Sequence, residues 1–232
     1  MHEIFPDSFV LYRPKDVVSG DFYIADYITT NDNRRLATFI VGDCTGHGIP
    51  GAVLSLMCNV LIRESFTRDE LNSPGEALDF VRERLSKFFE ADSKVRIRDG
   101  MDVAFCVLNP EKNKLRFSGG YNSCVIIRGE KLIEYKVDKQ HVGYTDNPIS
   151  FKNHAIDVEK GDMIFLYTDG FMDQFGGADT RKYTKKRLHK AIMNLKEFPM
   201  EVIGSALDDE FLNWKMGEDQ TDDVTILGIR VD

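Results

Sequence analysis

The sequence predicts an α+β domain in which helices cover antiparallel sheets. Four short apolar segments follow one another between residues 101 and 137, and short turns join two pairs of them. Strands so closely spaced form antiparallel meanders, because a parallel crossover needs a longer connection. Two segments of helical periodicity precede them and are most simply explained as covering a sheet. The 232 residues show no repeat and no low-complexity linker, so we expect one domain over 1–232.

Three strands are predicted before the first helix. Phe9–Tyr12 is a short apolar strand, and Gly20-Asp21 opens a second strand, Phe22–Thr29. The turn formers Asn31-Asp32-Asn33 favour a hairpin into the third strand, Leu36–Val41. A glycine-rich stretch follows Asp43, which places this carboxylate at the end of its strand, where the backbone can approach a ligand closely.

Two helices are predicted next. Pro50–Glu64 begins with a proline, which suits the first helical turn, and Pro74–Ala91 follows Ser73 in the pattern of a capping box. The apolar residues expected to share one face of the first helix are Val53, Leu54, Met57, Val60 and Leu61. Both helices are expected to pack on a sheet.

The rest of the chain is predicted to hold further strands and two more helices. In order, the strands are Met101–Leu108, Lys114–Ser118, Cys124–Arg128, Lys131–Val137, Ile149–Val158, Met163–Tyr167 and Val224–Val231. The helices Lys185–Leu195 and Met200–Trp214 come before the last of these strands.

Composition and charge exclude some classes of function. The net charge of −8 argues against binding to nucleic acid, which requires a basic surface. The four cysteines show no CxxC spacing, which argues against zinc and disulfides and favours a reducing, cytoplasmic setting. The longest uncharged apolar run, from Gly48 to Ile62, is too short to span a bilayer, and no basic and apolar leader follows Met1. We therefore expect no membrane contact.

Four carboxylates occur in similar settings, each beside a glycine or a turn at the boundary of an apolar strand. They are Asp21, Asp43, Asp169 and Asp222, with Asp223 as an alternative to Asp222. Each could be a simple turn former. If the strands converge, however, the carboxylates converge too, and an all-oxygen site selects Mg²⁺ or Mn²⁺. Two such ions can activate a water for in-line attack at phosphorus.

Six motifs follow one another along the chain: Ser19-Gly20-Asp21-Phe22-Tyr23, Asp43-Cys44-Thr45-Gly46-His47-Gly48, Asp99-Gly100-Met101-Asp102-Val103, Thr168-Asp169-Gly170-Phe171, Asp173-Gln174-Phe175-Gly176-Gly177 and Asp222-Asp223-Val224-Thr225. In this order they closely resemble the motifs of the PPM-type metal-dependent serine/threonine phosphatases, in the bacterial branch typified by stage II sporulation protein E. The resemblance extends over nearly the whole chain. It implies a four-layer αββα sandwich, with two antiparallel sheets flanked by helices and the metal cluster at one sheet edge.

The resemblance also implies roles for individual residues. Asp43 would bridge two Mn²⁺ or Mg²⁺ ions, the Cys44 carbonyl would bind one of them, and Asp169 and Asp222 would complete the ligands. Asp21 matches the carboxylate of the first motif and is included as a metal ligand, whereas Asp223 is expected to act as a supporting or turn residue.

The proton donor departs from the eukaryotic pattern. In the type 2C relatives a histidine two positions after the bridging aspartate is the proposed general acid. Here Thr45 occupies that position and His47 follows two residues later. His47 is therefore a candidate catalytic residue beside Asp43, Asp169 and Asp222, with packing or capping of the following helix as the alternative. The other histidines match no motif and are expected to be structural or at the surface: His2, His141, His154 and His189.

The resemblance implies an enzyme of signal transduction that hydrolyses phosphoserine or phosphothreonine on a bacterial regulator, with a STAS-type anti-sigma-factor antagonist as the expected substrate. A catalytically weak binding module with the same fold and another two-metal phosphoesterase are the alternatives. A regulatory sensor domain is expected in cis or in trans, since the chain looks like a catalytic domain from the C-terminal part of a larger sensor protein or a short member governed in trans. Whether the chain forms a homodimer stays open.

Overall fold

The structure is a computed structural model that describes residues 1–29, 35–67, 73–90 and 99–232. The predicted hairpin turn at Asn31-Asp32-Asn33 and the last residue of the second predicted helix, Ala91, lie outside these residues. In chain order the strands are β1 (Ser8–Arg13), β2 (Asp21–Thr29), β3 (Arg35–Cys44), β4 (Gly100–Asn109), β5 (Lys114–Gly120), β6 (Cys124–Arg128), β7 (Lys131–Tyr135), β8 (Val142–Gly143), β9 (His154–Asp157), β10 (Met163–Tyr167), β11 (Phe175–Gly176), β12 (Arg181–Lys182) and β13 (Val224–Arg230). The helices are α1 (Gly48–Phe66), α2 (Pro74–Glu90), α3 (Gly170–Asp173), α4 (Lys185–Leu195) and α5 (Met200–Lys215).

Two large antiparallel sheets form the centre of the domain. One has five strands in the order β1-β13-β10-β6-β7, and the other has the order β2-β3-β4-β5-β9, with β8 added alongside β4. Strands β11 and β12 form a separate small pair. The predicted α+β sandwich is confirmed, because α1 and α2 cover the second sheet while α4 and α5 cover the first.

Three apolar layers hold the sandwich together. Phe39 of β3 lies in the layer between the two sheets, whereas its neighbour Ile40 lies in the layer beneath α1 and α2. Successive side chains of a strand point to opposite faces, so a strand covered on both faces needs apolar residues throughout. The layer beneath α4 and α5 contains Phe165 of β10 and Phe211 of α5.

Most predicted elements are present, and the differences matter most near the carboxylates. Strand β3 continues beyond the predicted Val41 to Cys44, so Asp43, predicted at the strand end, is paired in the ladder as its last residue but one. The prediction of a strand over Ile149–Val158 was wrong in length, since β9 contains only four residues and His154 begins it instead of interrupting it. There His154 pairs with Phe117 of β5, and the two rings stack.

The buried face of α1 differs from the predicted one. Of the five residues expected to share it, Leu54 is buried, whereas Val53 and Val60 are 55% and 57% exposed. The helix instead buries small side chains such as Ser55 and Cys58, which allow its backbone to approach the sheet closely.

By length and composition alone, α1 is long and apolar enough to cross a membrane, and it is the one such helix in the described residues. This differs from the sequence prediction, in which the uncharged run is too short to span a bilayer. One helix of this kind is weak support for a membrane span, because a core helix can pass the same test.

Candidate metal centre

Three carboxylates lie side by side across neighbouring strands of the six-stranded sheet. Asp43 of β3 pairs with Asp21 of β2 on one side and with Asp102 of β4 on the other. Directly opposed residues in an antiparallel pair have Cβ atoms roughly 4.5–5.5 Å apart. Like charges placed so closely repel one another, so this row is costly in a ladder unless protons or cations neutralise it.

Asp21 connects this row to the other sheet. Its carboxylate oxygen Oδ2 accepts hydrogen bonds of 2.7 Å from the hydroxyls of both Thr168 and Thr225. Thr168 directly follows β10 and Thr225 lies in β13. The bonds therefore join the first residue of β2 in one sheet to the end of β10 and the start of β13 in the other. Asp21 is only 2% exposed.

Asp169 and Asp222 reach the same place from the five-stranded sheet. Asp169 lies between β10 and α3, and Asp222 lies just before β13, the neighbour of β10. Glycine is needed after Asp169, because a Cβ on Gly170 would come within 1.9 Å of the carbonyl oxygen of Asp223. This close approach brings the two predicted ligand segments together.

Five aspartates lie close enough for the charges of four of them to affect the ionisation of the fifth, Asp43. They are called the carboxylate cluster below: Asp21, Asp43, Asp102, Asp169 and Asp222. Burial, reinforced by the charges of the other four, raises the pKa of Asp43 to about 9. Burial also raises the pKa of Asp21 to about 7, although the bonds from Thr225 and Thr168 act in the opposite direction. The pKa of Asp169 is raised by partial burial and by Asp173 and Asp222. Without a cation the cluster therefore retains protons near neutral pH, and a divalent ion bound there would displace them.

The cluster suits hard divalent cations. Among the residues that the structure describes, no Lys or Arg forms an ion pair with any of the four predicted carboxylates. Their oxygen atoms are the donors that Mg²⁺ and Mn²⁺ prefer. In the same residues no three His, Cys, Asp or Glu side chains are grouped as ligands of one ion. This arrangement fits Mg²⁺, which is usually held by one or two carboxylates and keeps several waters, better than an ion that needs a closed protein cage.

Two further predicted residues lie beside the cluster. Asp223 accepts hydrogen bonds of 2.7 Å from the backbone N–H groups of Lys15 and Gly20, so its side chain holds the loop before β2. The Cys44 thiol is buried in the layer under α1, where burial and Cys58 raise its pKa well above the ordinary value. A protonated, buried thiol is a poor ligand, which leaves the Cys44 carbonyl as the group available to an ion.

The structure does not place His47 among the carboxylates. Its ring nitrogens contact Asp16 at 2.9 Å and Lys15 at 3.2 Å, both in the loop before β2. The alternative expectation for His47 was packing or capping of the following helix, and the structure contradicts the capping part. His47 occupies the N-cap position of α1, but its side chain makes no capping hydrogen bond.

Sequence reasoning missed two residues at the site. Asp102 lies in the motif Asp99-Gly100-Met101-Asp102-Val103 but is not among the predicted site residues, and the prediction for His141 is a structural or surface role. In the structure the ring Nδ1 of His141 contacts the carboxylate of Asp102. Burial raises the pKa of Asp102 to about 6, with His141 lowering it and Asp169 raising it further. A carboxylate inside an otherwise apolar strand was the available signal for Asp102, whereas only the fold brings His141 to it.

The fold and the site define a class of protein. Two antiparallel sheets between helix layers form the architecture of PP2C-type phosphatase domains. The family model described as stage II sporulation protein E (SpoIIE) matches residues 33–232. The chain therefore belongs to the SpoIIE family, which is metal-dependent in general.

Solved structures agree with this assignment. The SiaA-PP2C domain of Pseudomonas aeruginosa is similar with a TM-score of 0.84 and 25% identity, over 100% of this chain and 92% of that one. The PP2C phosphatase domain of SpoIIE from Bacillus subtilis, solved with a fragment of its regulatory domain, has a TM-score of 0.77 and 16% identity, over 97% of this chain and 63% of that one.

A third similar structure contains the RsbU and RsbW domains of a Mycobacterium tuberculosis protein, with a TM-score of 0.72 and 17% identity. It is matched over 97% of this chain and 59% of that one, so the chain spans less than two thirds of the last two structures. A comparison with curated proteins gives no match.

Proposed function

We propose that the protein is a metal-dependent phosphatase that removes phosphate from phosphoserine or phosphothreonine in a partner protein. The observation that carries the proposal is the carboxylate cluster, which joins Asp21 and Asp43 of one sheet to Asp169 and Asp222 of the other. A fold maintained only for binding has no need of buried acids that raise one another's pKa. Clustered, perturbed carboxylates are typical of functional sites.

The residues would act as follows. Asp43, at the centre of the cluster, would hold the divalent ions together with Asp21, Asp169, Asp222 and the Cys44 carbonyl, all of which offer oxygen ligands. When bound, such ions activate water and offset the negative charge of a phosphoryl group. Thr168 and Thr225 would keep Asp21 oriented, because both of their hydroxyls donate to the same carboxylate oxygen.

Phosphate release tests the activity directly. We expect hydrolysis of p-nitrophenyl phosphate and of a phosphoserine peptide in the presence of Mn²⁺ or Mg²⁺, and its loss in EDTA. Hard cations held by few carboxylates and several waters should be removable by a chelator. Undiminished activity in EDTA, or activity with zinc alone, would contradict the proposal, and no turnover with any metal would favour a binding module.

The partner is proposed to be a small phosphorylated bacterial regulator of the STAS type, an antagonist of an anti-sigma factor, in the cytoplasm. Support comes from the similarity to proteins that carry RsbU and RsbW domains or a regulatory domain. With a net charge of −8 the domain would not attract an acidic phosphoprotein from a distance, so recognition must come from contacts around the site.

A comparison of two substrates tests the partner. We expect a higher kcat/KM for a folded phosphorylated STAS protein than for a peptide with the same phosphoserine, because only the folded protein can contact surfaces around the cluster. Equal values would mean that the enzyme does not recognise the surface of the folded substrate, and the proposed partner would be rejected.

A sensor domain in the same chain or in another one is the proposed regulator. Helix α1 begins four residues after the last residue of β3 and leaves Ile49, Val53, Leu56 and Val60 exposed. A domain that moved α1 would therefore act on the segment that carries Asp43. We expect Leu56→Ser to weaken control by the sensor domain, while the rate of the isolated phosphatase domain stays the same. The measurement compares phosphate release by wild type and variant, each with and without the sensor domain.

A further inference from the structure

His141 is the one histidine that the described structure joins to the carboxylate cluster. It lies just before β8, which pairs with the first residues of β4, and its Nδ1 contacts the carboxylate of Asp102 in β4. Asp102 is in turn the cross-strand neighbour of Asp43. The ring of Tyr121 packs against the imidazole with 4.5 Å between ring centroids. The imidazole is thus held on two sides at the edge of the cluster.

The side chain of His141 is 53% exposed, and no described residue bonds its remaining ring nitrogen, Nε2. A carboxylate bonded at Nδ1 fixes the ring orientation, so that Nε2 is the nitrogen left to exchange a proton. This is the arrangement in which a histidine can give a proton to a bound molecule.

His47 shows by contrast why the position of the carboxylate matters. The two histidines are similar in exposure, at 51% for His47 and 53% for His141, and each contacts a carboxylate through Nδ1. The partner of His47, however, is Asp16 in the loop before β2, whereas the partner of His141 contributes to the electrostatics of Asp43. Only His141 is held by a member of the cluster.

We propose that His141 is the proton donor to the leaving oxygen in the phosphatase reaction, with Asp102 as its positioning residue. The inference rests on the function proposed above. In the step, the bond between phosphorus and the serine or threonine oxygen breaks, and that oxygen keeps the electron pair and takes the proton from Nε2 of His141. Water supplies the oxygen that forms the new bond to phosphorus and loses a proton to solvent, and the neutral imidazole regains its proton from solvent.

The need for a donor depends on the leaving group. A serine alkoxide is too basic to leave without a proton at neutral pH, whereas p-nitrophenolate is stable as an anion. General acid catalysis contributes roughly 10²–10⁴-fold where a proton is required. Loss of the donor should therefore slow the release of serine much more than the release of p-nitrophenol, while general damage to the site should slow both equally.

The experiment compares wild type with His141→Gln, whose amide can still bond Asp102 but cannot act as an acid. We expect kcat for a phosphoserine peptide to fall by about 10²-fold or more, and kcat for p-nitrophenyl phosphate by less than about threefold. His141→Ala serves as a second variant and should show the same difference. Thermal melting of each variant in Mn²⁺ shows whether it is folded.

His2→Gln is the matched control, because His2 is exposed and contacts Ser8, at the end of β1 away from the cluster. It should leave both rates unchanged. If kcat falls equally on both substrates in folded His141 variants, or does not fall at all, this inference alone is overturned. If kcat falls only for the peptide in His47→Gln and stays unchanged in His141→Gln, the role belongs to His47. Absence of turnover of either substrate by the wild type would overturn the proposed function, and this inference with it.

Discussion

Buried Asp21 should make the metal-free protein less stable as the pH rises. Its pKa is about 7 in the fold, against an ordinary value of 3.8, because burial disfavours the charged form. Between these two values the folded state holds a proton that the unfolded state has lost, so the free energy of unfolding falls as the pH increases. The difference of about three units corresponds to ~4 kcal/mol, with the loss complete above the folded pKa.

Asp21→Asn isolates this contribution. The amide oxygen can accept the same bonds from Thr168 and Thr225, but the side chain never becomes charged. In EDTA we expect the variant to be more stable than wild type by about 2 kcal/mol at pH 5, and by up to ~4 kcal/mol at pH 8. Urea unfolding at pH 5, 6, 7 and 8 measures the difference, with the exposed Asp209 of α5 changed to Asn as the control.

Two results would refute this reasoning. The first is that the free energy of unfolding of Asp21→Asn changes with pH as it does in wild type and in Asp209→Asn, since the buried carboxyl would then not titrate as stated. The second is the absence of any stabilisation of wild type by Mn²⁺ at pH 8. Metal bound only to the folded state at a hundredfold excess over its Kd should add about 2.7 kcal/mol.

Three further predictions concern single residues. Asp169→Asn should reduce turnover below detection while circular dichroism and melting stay near wild type, because it removes a ligand and no core packing; a wild-type rate at saturating Mn²⁺ would show that it is not a ligand. His47→Ala should slow phosphate release by less than about tenfold, and a loss of about 10²-fold or more at unchanged Tm would make it the proton donor. Gly51→Ala should destabilise the protein by about 1–3 kcal/mol in urea unfolding, because its Cβ would lie 2.2 Å from the Gly46 carbonyl oxygen. The control, exposed Val53→Ala, should change stability by less than about 0.5 kcal/mol, and equal effects would contradict the contact.

Much of the fold could be predicted because apolar periodicity reports local structure. Strand β10 and helix α4 have the predicted bounds, and the four-layer arrangement follows the resemblance. The buried face of α1 could not be predicted in the same way. Its periodicity contains apolar residues on more than one side, and only the packing on the sheet selects the side with Ser55 and Cys58.

The site was predictable to the extent that its residues lie in local motifs. Asp21, Asp43, Asp169 and Asp222 each stand beside a glycine or a turn, and the structure gathers all four. The contact between His141 and Asp102 joins residues 39 positions apart, so no short pattern reveals it. Pairing of β8 with β4 creates this contact, and a two-residue strand has too little sequence to be recognised.

Binding of Mn²⁺ to wild type and to Asp43→Asn tests the central claim most directly. Isothermal titration calorimetry at pH 7.5 gives the number of ions per chain and their affinity without any substrate. If Asp43 bridges two ions within the carboxylate cluster, the wild type should bind two Mn²⁺ per chain, and the variant should bind neither with wild-type affinity. Two ions bound equally well by the variant would contradict the account, because the carboxylate at the centre of the cluster would then hold no metal.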